Sequence, residues 1–396
     1  MLQEGVLDEA LLHIPCVDGQ TNQPGVARVQ VPFAWREADL LPGHEYFLNL
    51  AVTLKEDSGL LPAGHVVAIE QYALHPALPA AEAEGPLPAL SCARENGQVV
   101  LAGADFTLVF DEVLGRLVQY TAAGRELIVP GQGPVGNFYR AATDNDTGFG
   151  YGLFVFTRPW KDASDYAVDS FTVEAQADRA VVTVTGHYPA LNGMVHNTVY
   201  TVYGDGAVAA DVTIIPNYDK DFVYVPVVGM ELMVPGAYEQ MTFFGRGPEE
   251  NYWDRAWGTK VGRYATTVTD NFIGYVRTSE TGNRTGVRWI ALTDETGSGL
   301  LAVGGTPLEV SALHYTALEL DRRVHPYELN ALADTVLRLN AVQIGVGGDN
   351  AWSRIVPHAQ YLPHEVEYRY AFTLAPLAAG EDAMEKSVVL RERMTP

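Results

Sequence analysis

"NTVYTVYGDGAVAADVTII", residues 197–215, decides the fold class. Two runs rich in β-branched and aromatic residues flank Gly204-Asp205-Gly206, a turn whose glycines reach backbone conformations closed to other residues. The pair reads as a β-hairpin. The pattern recurs outward in both directions. In "EYFLNLAVTL" Tyr46, Leu48, Leu50, Val52 and Leu54 fall on one side at period two. "GQVVLAGADFTLVFD", "RAVVTVTGHY" and "EVEYRYAFTL" repeat it, with turns drawn from 38 Gly and 23 Pro. Few windows hold a helical period for three turns. The fold class is all-β, of sandwich type.

The 396 residues exceed the usual size of one domain, and 47% are hydrophobic against 19% charged, enough for a sizeable core. A net charge of −23 repels phosphate backbones and anionic lipid, which excludes nucleic acid and the membrane surface as partners. Cys16 and Cys92 are the two cysteines, so no disulfide framework exists and a reducing, cytoplasmic compartment is expected. "MLQEGVLDEALLH" lacks the basic and apolar regions of a signal peptide, and no apolar run approaches the roughly 20 residues of a membrane span.

"HPALPAAEAEGPLP", residues 75–88, combines prolines, alanines and glutamates with no apolar period. It divides the chain into a first unit over 1–75, a linker over 76–88 and a large unit over 89–396. The first unit carries signal for about four or five strands, where an immunoglobulin-like sandwich uses about seven. Strands missing from such a sandwich would expose sheet edges, so the stretch "HIPCVDGQTNQPGVARV" or another chain is needed to complete it.

Several stretches carry polar residues in patterns that chemistry uses. "GQGPVG" (131–136) matches a dinucleotide fingerprint, but Pro134 interrupts it and no helix follows, so it reads as a turn. "TDNDTG" opens like a calcium loop, yet the position of the bidentate glutamate is Val155; Asp and Asn capping a turn is the expectation. The histidines are scattered, with no zinc spacing, and no nucleophile elbow appears. "FFGRGPEENYWDRAWGTKVGRY" (243–264) packs Glu249, Glu250, Asp254, Arg246 and Arg255 beside Tyr252, Trp253 and Trp257. Spacing leaves two readings open: carboxylates and rings around a sugar, or an Arg–carboxylate network fixing a long loop. "IGVGGDNAWS" (344–353) places Trp352 after Gly347 and Gly348, whose backbone freedom suits a loop near a ligand; spacing leaves Trp352 open between surface and core.

At these stretches the chain resembles the C-terminal region of glycoside hydrolase family 2 β-galactosidases. "FYRAATDNDTG" is similar to the family's F-x-R-A-x-x-D-N-D-x-G and "FGRGPEENYWDR" to its G-x-G-P-x-E-N-Y-x-D-R. "ETGNRTGVRW" (280–289) is similar to E-x-G-N-R-x-x-x-R-W, and "IGVGGDNAWS" to G-x-G-G-D-x-S-W. "PAGHVVAIEQYAL" is similar to the second half of the immunoglobulin-like domain that precedes this region. Ala351 replaces the usual serine, Thr278-Ser279 the usual Pro-Gln, and Gly286 the usual aspartate.

The resemblance implies a partial immunoglobulin-like sandwich over 1–75 and a large antiparallel supersandwich of the galactose-mutarotase-like class over 89–396. It implies that Trp352, carried by the loop Gly347, Gly348, Asp349 and Asn350, reaches the catalytic pocket and stacks on the sugar. It also implies what is not here. Retaining glycosidases need two carboxylates about 5 Å apart, and in this family both sit on a (β/α)₈ barrel that this chain lacks. No catalytic residue and no metal ligand is therefore assigned. Family holoenzymes commonly use Mg and Na, with ligands expected mainly in the missing part.

The function this implies is a small subunit or C-terminal fragment of a β-galactosidase, inactive alone. It would complete the site of a separate barrel chain acting on terminal β-D-galactosides, within a hetero- or homo-oligomer. A second reading is a stand-alone carbohydrate-binding module using Trp253, Trp257 and Trp352. Measurable galactoside affinity in the isolated chain would favour it. A third, aldose epimerisation, rests on fold alone, which does not carry function.

Overall fold

Alternation in Arg179–Tyr188 buries Ala180, Val182, Val184 and Tyr188 on one face and leaves the other half-exposed. That is how a strand packs when one side of its sheet covers a core. Its neighbour Met194–Tyr203 does the same through Met194, His196, Thr198, Tyr200 and Val202. The hairpin read from the sequence follows, with Val195–Val202 pairing antiparallel to Val208–Ile215 and Gly206 at φ 90°.

The computed structural model describes residues 44–75, 86–147, 160–161, 163–217, 225–347 and 366–394. Among them, β1 (Tyr46–Thr53) and β2 (Val66–His75) form a two-stranded antiparallel sheet. β3 (Ser91–Glu95), β4 (Gln98–Ala102), β5 (Phe106–Asp111), β6 (Arg116–Ala122) and β7 (Arg125–Glu126) form a five-stranded meander. A twelve-stranded antiparallel sheet holds the rest. Its early members are β8 (Val135–Asn137), β9 (Ala167–Ala175), β10 (Arg179–Tyr188), β11 (Met194–Tyr203), β12 (Val208–Ile215) and β13 (Val227–Val234). Then come β14 (Gln240–Gly247), β15 (Lys260–Thr267), β16 (Arg284–Thr293), β17 (Gly299–Leu313), β18 (Thr335–Gln343) and β19 (Tyr368–Leu377). The all-β expectation holds. Of 131–136, read as a turn, the first part is one, with the Gln132 amide on the Val129 carbonyl at 2.9 Å, while Val135 and Gly136 belong to β8; a Cβ at Gly133 would lie 1.8 Å from the Leu117 carbonyl oxygen.

The large sheet branches at β17. Its first half, Gly299–Gly304, pairs with β19, and its second half, Glu309–Leu313, pairs with β18. Gly304 sits where the strand changes partners, and a Cβ there would lie 2.3 Å from the Thr306 carbonyl oxygen. The meander packs on one face of the sheet, interleaving Leu101, Leu108, Phe110 and Tyr120 with Val182, Tyr200, Val212 and Met230. The other face buries Phe244, Trp289, Leu301 and Val303 under a C-terminal helix, Ala383–Glu392, through Met384 and Leu390. That two-layered arrangement is the supersandwich.

The β1–β2 hairpin joins the edge of this body through polar contacts. Gln71 imitates a strand: its Nε2 donates to the Val261 carbonyl at 3.0 Å and its Oε1 accepts from the Val261 amide at 2.7 Å. Arg288 forks onto Glu45, with Nε and Nη2 donating at 3.0 and 2.5 Å. On the hairpin itself Val66, Val67 and Tyr72 stay about half exposed (48%, 51% and 53%).

Candidate functional site

Two of the polar stretches singled out in the sequence, those holding Arg140 and Asp254, converge on the backbone of a third, residues 344–347. Arg140 is the centre. Its Nη1 donates to the Ile344 carbonyl at 2.7 Å and its Nη2 to the Gly345 carbonyl at 2.8 Å. The same Nη2 meets both carboxylate oxygens of Asp146 at 3.1 Å, with both side chains only 3% exposed. Burial opposes the guanidinium's charge, but Asp146 and Glu280 outweigh it and hold the pKa above its ordinary value. Asp146 also accepts from the Thr143 amide at 2.8 Å, which is the turn-capping role expected of this stretch. Asn145 adds a donor to the Val346 carbonyl at 2.8 Å.

From the other side Asp254 accepts the amides of Val346 at 3.2 Å and Gly347 at 2.8 Å. A Cβ on Gly347 would stand 3.1 Å from Asp254 Oδ2. Gly347 thus serves close approach; it is not among the glycines with positive φ, which corrects the expectation of a special backbone conformation there. Trp253 donates its Nε1 to the Gln343 carbonyl at 2.9 Å, just before the segment. Gly348, Asp349, Asn350 and Trp352 lie outside the described residues.

Asp254→Ala is expected to speed hydrogen exchange at the Val346 and Gly347 amides by at least about tenfold. A charged acceptor contributes about 1.5–3 kcal/mol to each bond it makes. Amide exchange followed by NMR checks this, and unchanged protection would mean that the segment is held without Asp254.

Beneath the segment, Glu250 accepts from four donors: the Arg255 guanidinium, the Tyr275 hydroxyl, the Thr281 hydroxyl at 3.4 Å and the Gly282 amide at 2.7 Å. Asn251 clamps the neighbouring stretch. It takes the Thr285 amide on Oδ1 at 3.0 Å, and its carbonyl accepts from Asn283 Nδ2 at 2.9 Å. For residues 243–264 this is the Arg–carboxylate network of the two readings. Tyr252 is buried under the Arg255 guanidinium, 5.3 Å from its ring centre, and Trp257 stands 85% exposed. Gly286, where the usual aspartate is missing, has φ 62° in a bulge between β16 and β17, and its carbonyl accepts from Arg288 at 2.6 Å.

A cleft of about 330 Å³ opens over this cluster, lined by Asp144, Glu250, Tyr252, Arg255, Tyr275 and Glu280 among others. Two buried carboxyls lie in or near it with raised pKa. Glu280 is pushed up to about 7, because loss of solvent outweighs the nearby Arg338 and Arg140. Glu309, which accepts from Asn283 Nδ2 at 3.3 Å, is pushed up to about 8 by burial alone. Neither reads as a nucleophile. Glu309 faces Asn283 inside the sheet, and the carboxylates that act on Glu280 are both engaged: Glu250 accepts from four donors, and Asp146 from Arg140 and the Thr143 amide. Among the described residues no group of three His, Cys, Asp or Glu side chains is arranged to hold a metal ion.

Residues 102–374 match the family described as β-galactosidase small chain, and residues 3–75 match β-galactosidase domain 4. The chain belongs to the β-galactosidase small chain family. It is 34% identical to a β-galactosidase of Priestia megaterium (strain DSM 319 / IMG 1521) over 337 residues, 84% of this chain and 32% of that protein. A β-galactosidase of Lactobacillus delbrueckii subsp. bulgaricus is 34% identical over 314 residues, 79% of this chain and 30% of its own. The small-chain sequence thus spans about a third of the length of the curated relatives it matches. Among solved structures, galactose 1-epimerase from Lactobacillus acidophilus NCFM superimposes with a TM-score of 0.43 at 9% identity, covering 74% of this chain and 99% of that one.

Proposed function

We propose that this chain completes the active site of a separate β-galactosidase catalytic chain, presenting Trp352 to the galactose and contributing no catalytic carboxylate of its own. One observation carries the reading: Arg140, Asn145 and Asp254, from two of the motifs, make five hydrogen bonds to the 344–347 backbone, beside the Ile344 amide's bond to the Pro226 carbonyl at 2.9 Å, so the backbone leading to Trp352 is pinned. Rigid positioning is what a ring needs if it is to stack on a substrate bound by another chain. The half-exposed hairpin residues Val66, Val67 and Tyr72 support a partner chain as well. The magnesium and sodium of the complex would be held by that partner.

The test is reconstitution. The purified chain alone is expected to release no nitrophenol from a nitrophenyl galactoside, and mixing with a catalytic barrel chain is expected to give turnover. Turnover without a partner would overturn the proposal. In the mixture, Trp352→Ala should slow turnover at low substrate by a stacking contribution of about 1–3 kcal/mol, with an unchanged circular dichroism spectrum. An unaltered rate would remove Trp352 from the pocket.

A further inference from the structure

A second, larger cavity of about 440 Å³ is lined by none of the residues that clamp 344–347. It is walled by the turn before β6, by β8 and by the inward faces of β10 and β11. Its volume is that of a small-molecule pocket. What singles it out is His196, a polar residue on the buried face of β11, 4% exposed. Three rings clamp the imidazole: Tyr188 stacks on it with centres 5.9 Å apart, and Phe138 and Tyr166 stand edge-on at 6.0 and 5.6 Å. Nδ1 faces the Tyr188 hydroxyl at 3.5 Å, whereas Nε2 is buried and meets no partner in the protein. Burial pushes this imidazole down to about 4, so it is neutral at physiological pH and one ring nitrogen donates while the other accepts. The Nε of Arg116, also on the wall, is likewise buried without a partner.

The wall chemistry narrows the ligand. A purely apolar molecule would leave both nitrogens unsatisfied, which buried polar groups rarely are. The Glu231 carboxylate on the wall is paired with Arg338 at 3.3 Å and the Lys161 ammonium with Asp321, so the unmet demand is for hydrogen-bonding groups rather than for a strong charge. A polyhydroxylated ring answers that demand. Its hydroxyls donate and accept, and its C–H faces suit the rings of Tyr166, Tyr188 and Tyr200. We propose that this cavity binds a neutral pyranose, with hydroxyls on His196 Nε2 and Arg116 Nε and a C–H face on the tyrosines. The site is separate from the pocket that Trp352 serves and does not depend on that assignment.

Isothermal titration of the full chain with D-galactose and with D-glucose tests it, and no catalytic partner is needed. Saturable binding of at least one sugar near one site per chain is expected. His196→Phe fills the ring position without the nitrogens and should weaken binding at least about tenfold, the equivalent of one good hydrogen bond. Ser164→Trp, an exposed rim position, should block entry and leave the core untouched, so it serves where His196→Phe does not fold. Absence of saturable heat with both sugars overturns the proposal. Binding that survives Ser164→Trp or a folded His196→Phe also overturns it, since a sugar held by exposed tryptophans elsewhere would show that behaviour.

Discussion

Arg140→Ala is expected to remove about 3–5 kcal/mol of folding stability, the usual consequence of taking one partner from a buried ion pair. The arginine is 4% exposed, and its loss strands three acceptors at once. Asp146 would keep a buried charge with the Thr143 amide as its remaining donor among those named above. The carbonyls of Ile344 and Gly345 would lose donors at 2.7 and 2.8 Å. Arg140→Lys should rescue little, because a point charge cannot fork across two carbonyls and a carboxylate. Denaturant unfolding at neutral pH reads the loss. A further Asp146→Asn change should recover part of it, and that non-additivity separates a broken ion pair from simple loss of packing. A cost below about 1 kcal/mol would mean that Arg140 is solvated rather than pinned. In a reconstituted complex the same variant should also slow turnover, since the segment then loses two of its five motif-borne hydrogen bonds and keeps those of Asn145 and Asp254.

The strands were legible because their causes are local. Period-two alternation puts Ala180, Val182 and Val184 on one face, and any reader of "RAVVTVTGHY" recovers β10. The hairpin turn at 204–206 was legible for the same reason, though only half of its cause. Gly206 supplies the positive φ, but Gly204 is required because Pro88 approaches it, with a Cβ lying 1.7 Å from the Pro88 carbonyl oxygen. That contact joins the end of the linker to the hairpin turn and has no signature in either stretch. The clamp shows the same limit more strongly. Arg140 bonds residues 204 and 205 positions away, and Asp254 bonds Val346 and Gly347 across 92 and 93. Resemblance to a family grouped the four stretches but did not say what they hold. Glu309 and Asn251 were missed altogether. The available signal was a carboxylate inside "LEVSAL", a run otherwise fit for a core, and a buried glutamate there demands neighbours such as Asn283.

That misplaced carboxylate also makes the chain's stability depend on pH in a predictable direction. Below the ordinary glutamate value of 4.5, folded and unfolded chains both carry the Glu309 proton, and folding is indifferent to it. Between 4.5 and about 8 the unfolded chain has released the proton and the folded chain has kept it. The unfolded state then binds fewer protons, so stability falls as pH rises, by about 1.4 kcal/mol per pH unit for each such group. Glu280 acts with the same sign up to about 7. His196, lowered from 6.5 to about 4, acts with the opposite sign between those values. The total slope therefore mixes terms, and the difference between wild type and Glu309→Gln isolates one of them. The glutamine keeps the size and an acceptor for Asn283 but cannot ionise. The two proteins should be similar in stability near pH 4.5, and the variant should gain steadily on the wild type up to pH 8, then hold its lead. Denaturant midpoints across that range check the sign directly. A variant that is less stable at pH 8 than at pH 4.5, relative to wild type, would show that Glu309 is ionised in the folded sheet and that its neighbours hold the charge.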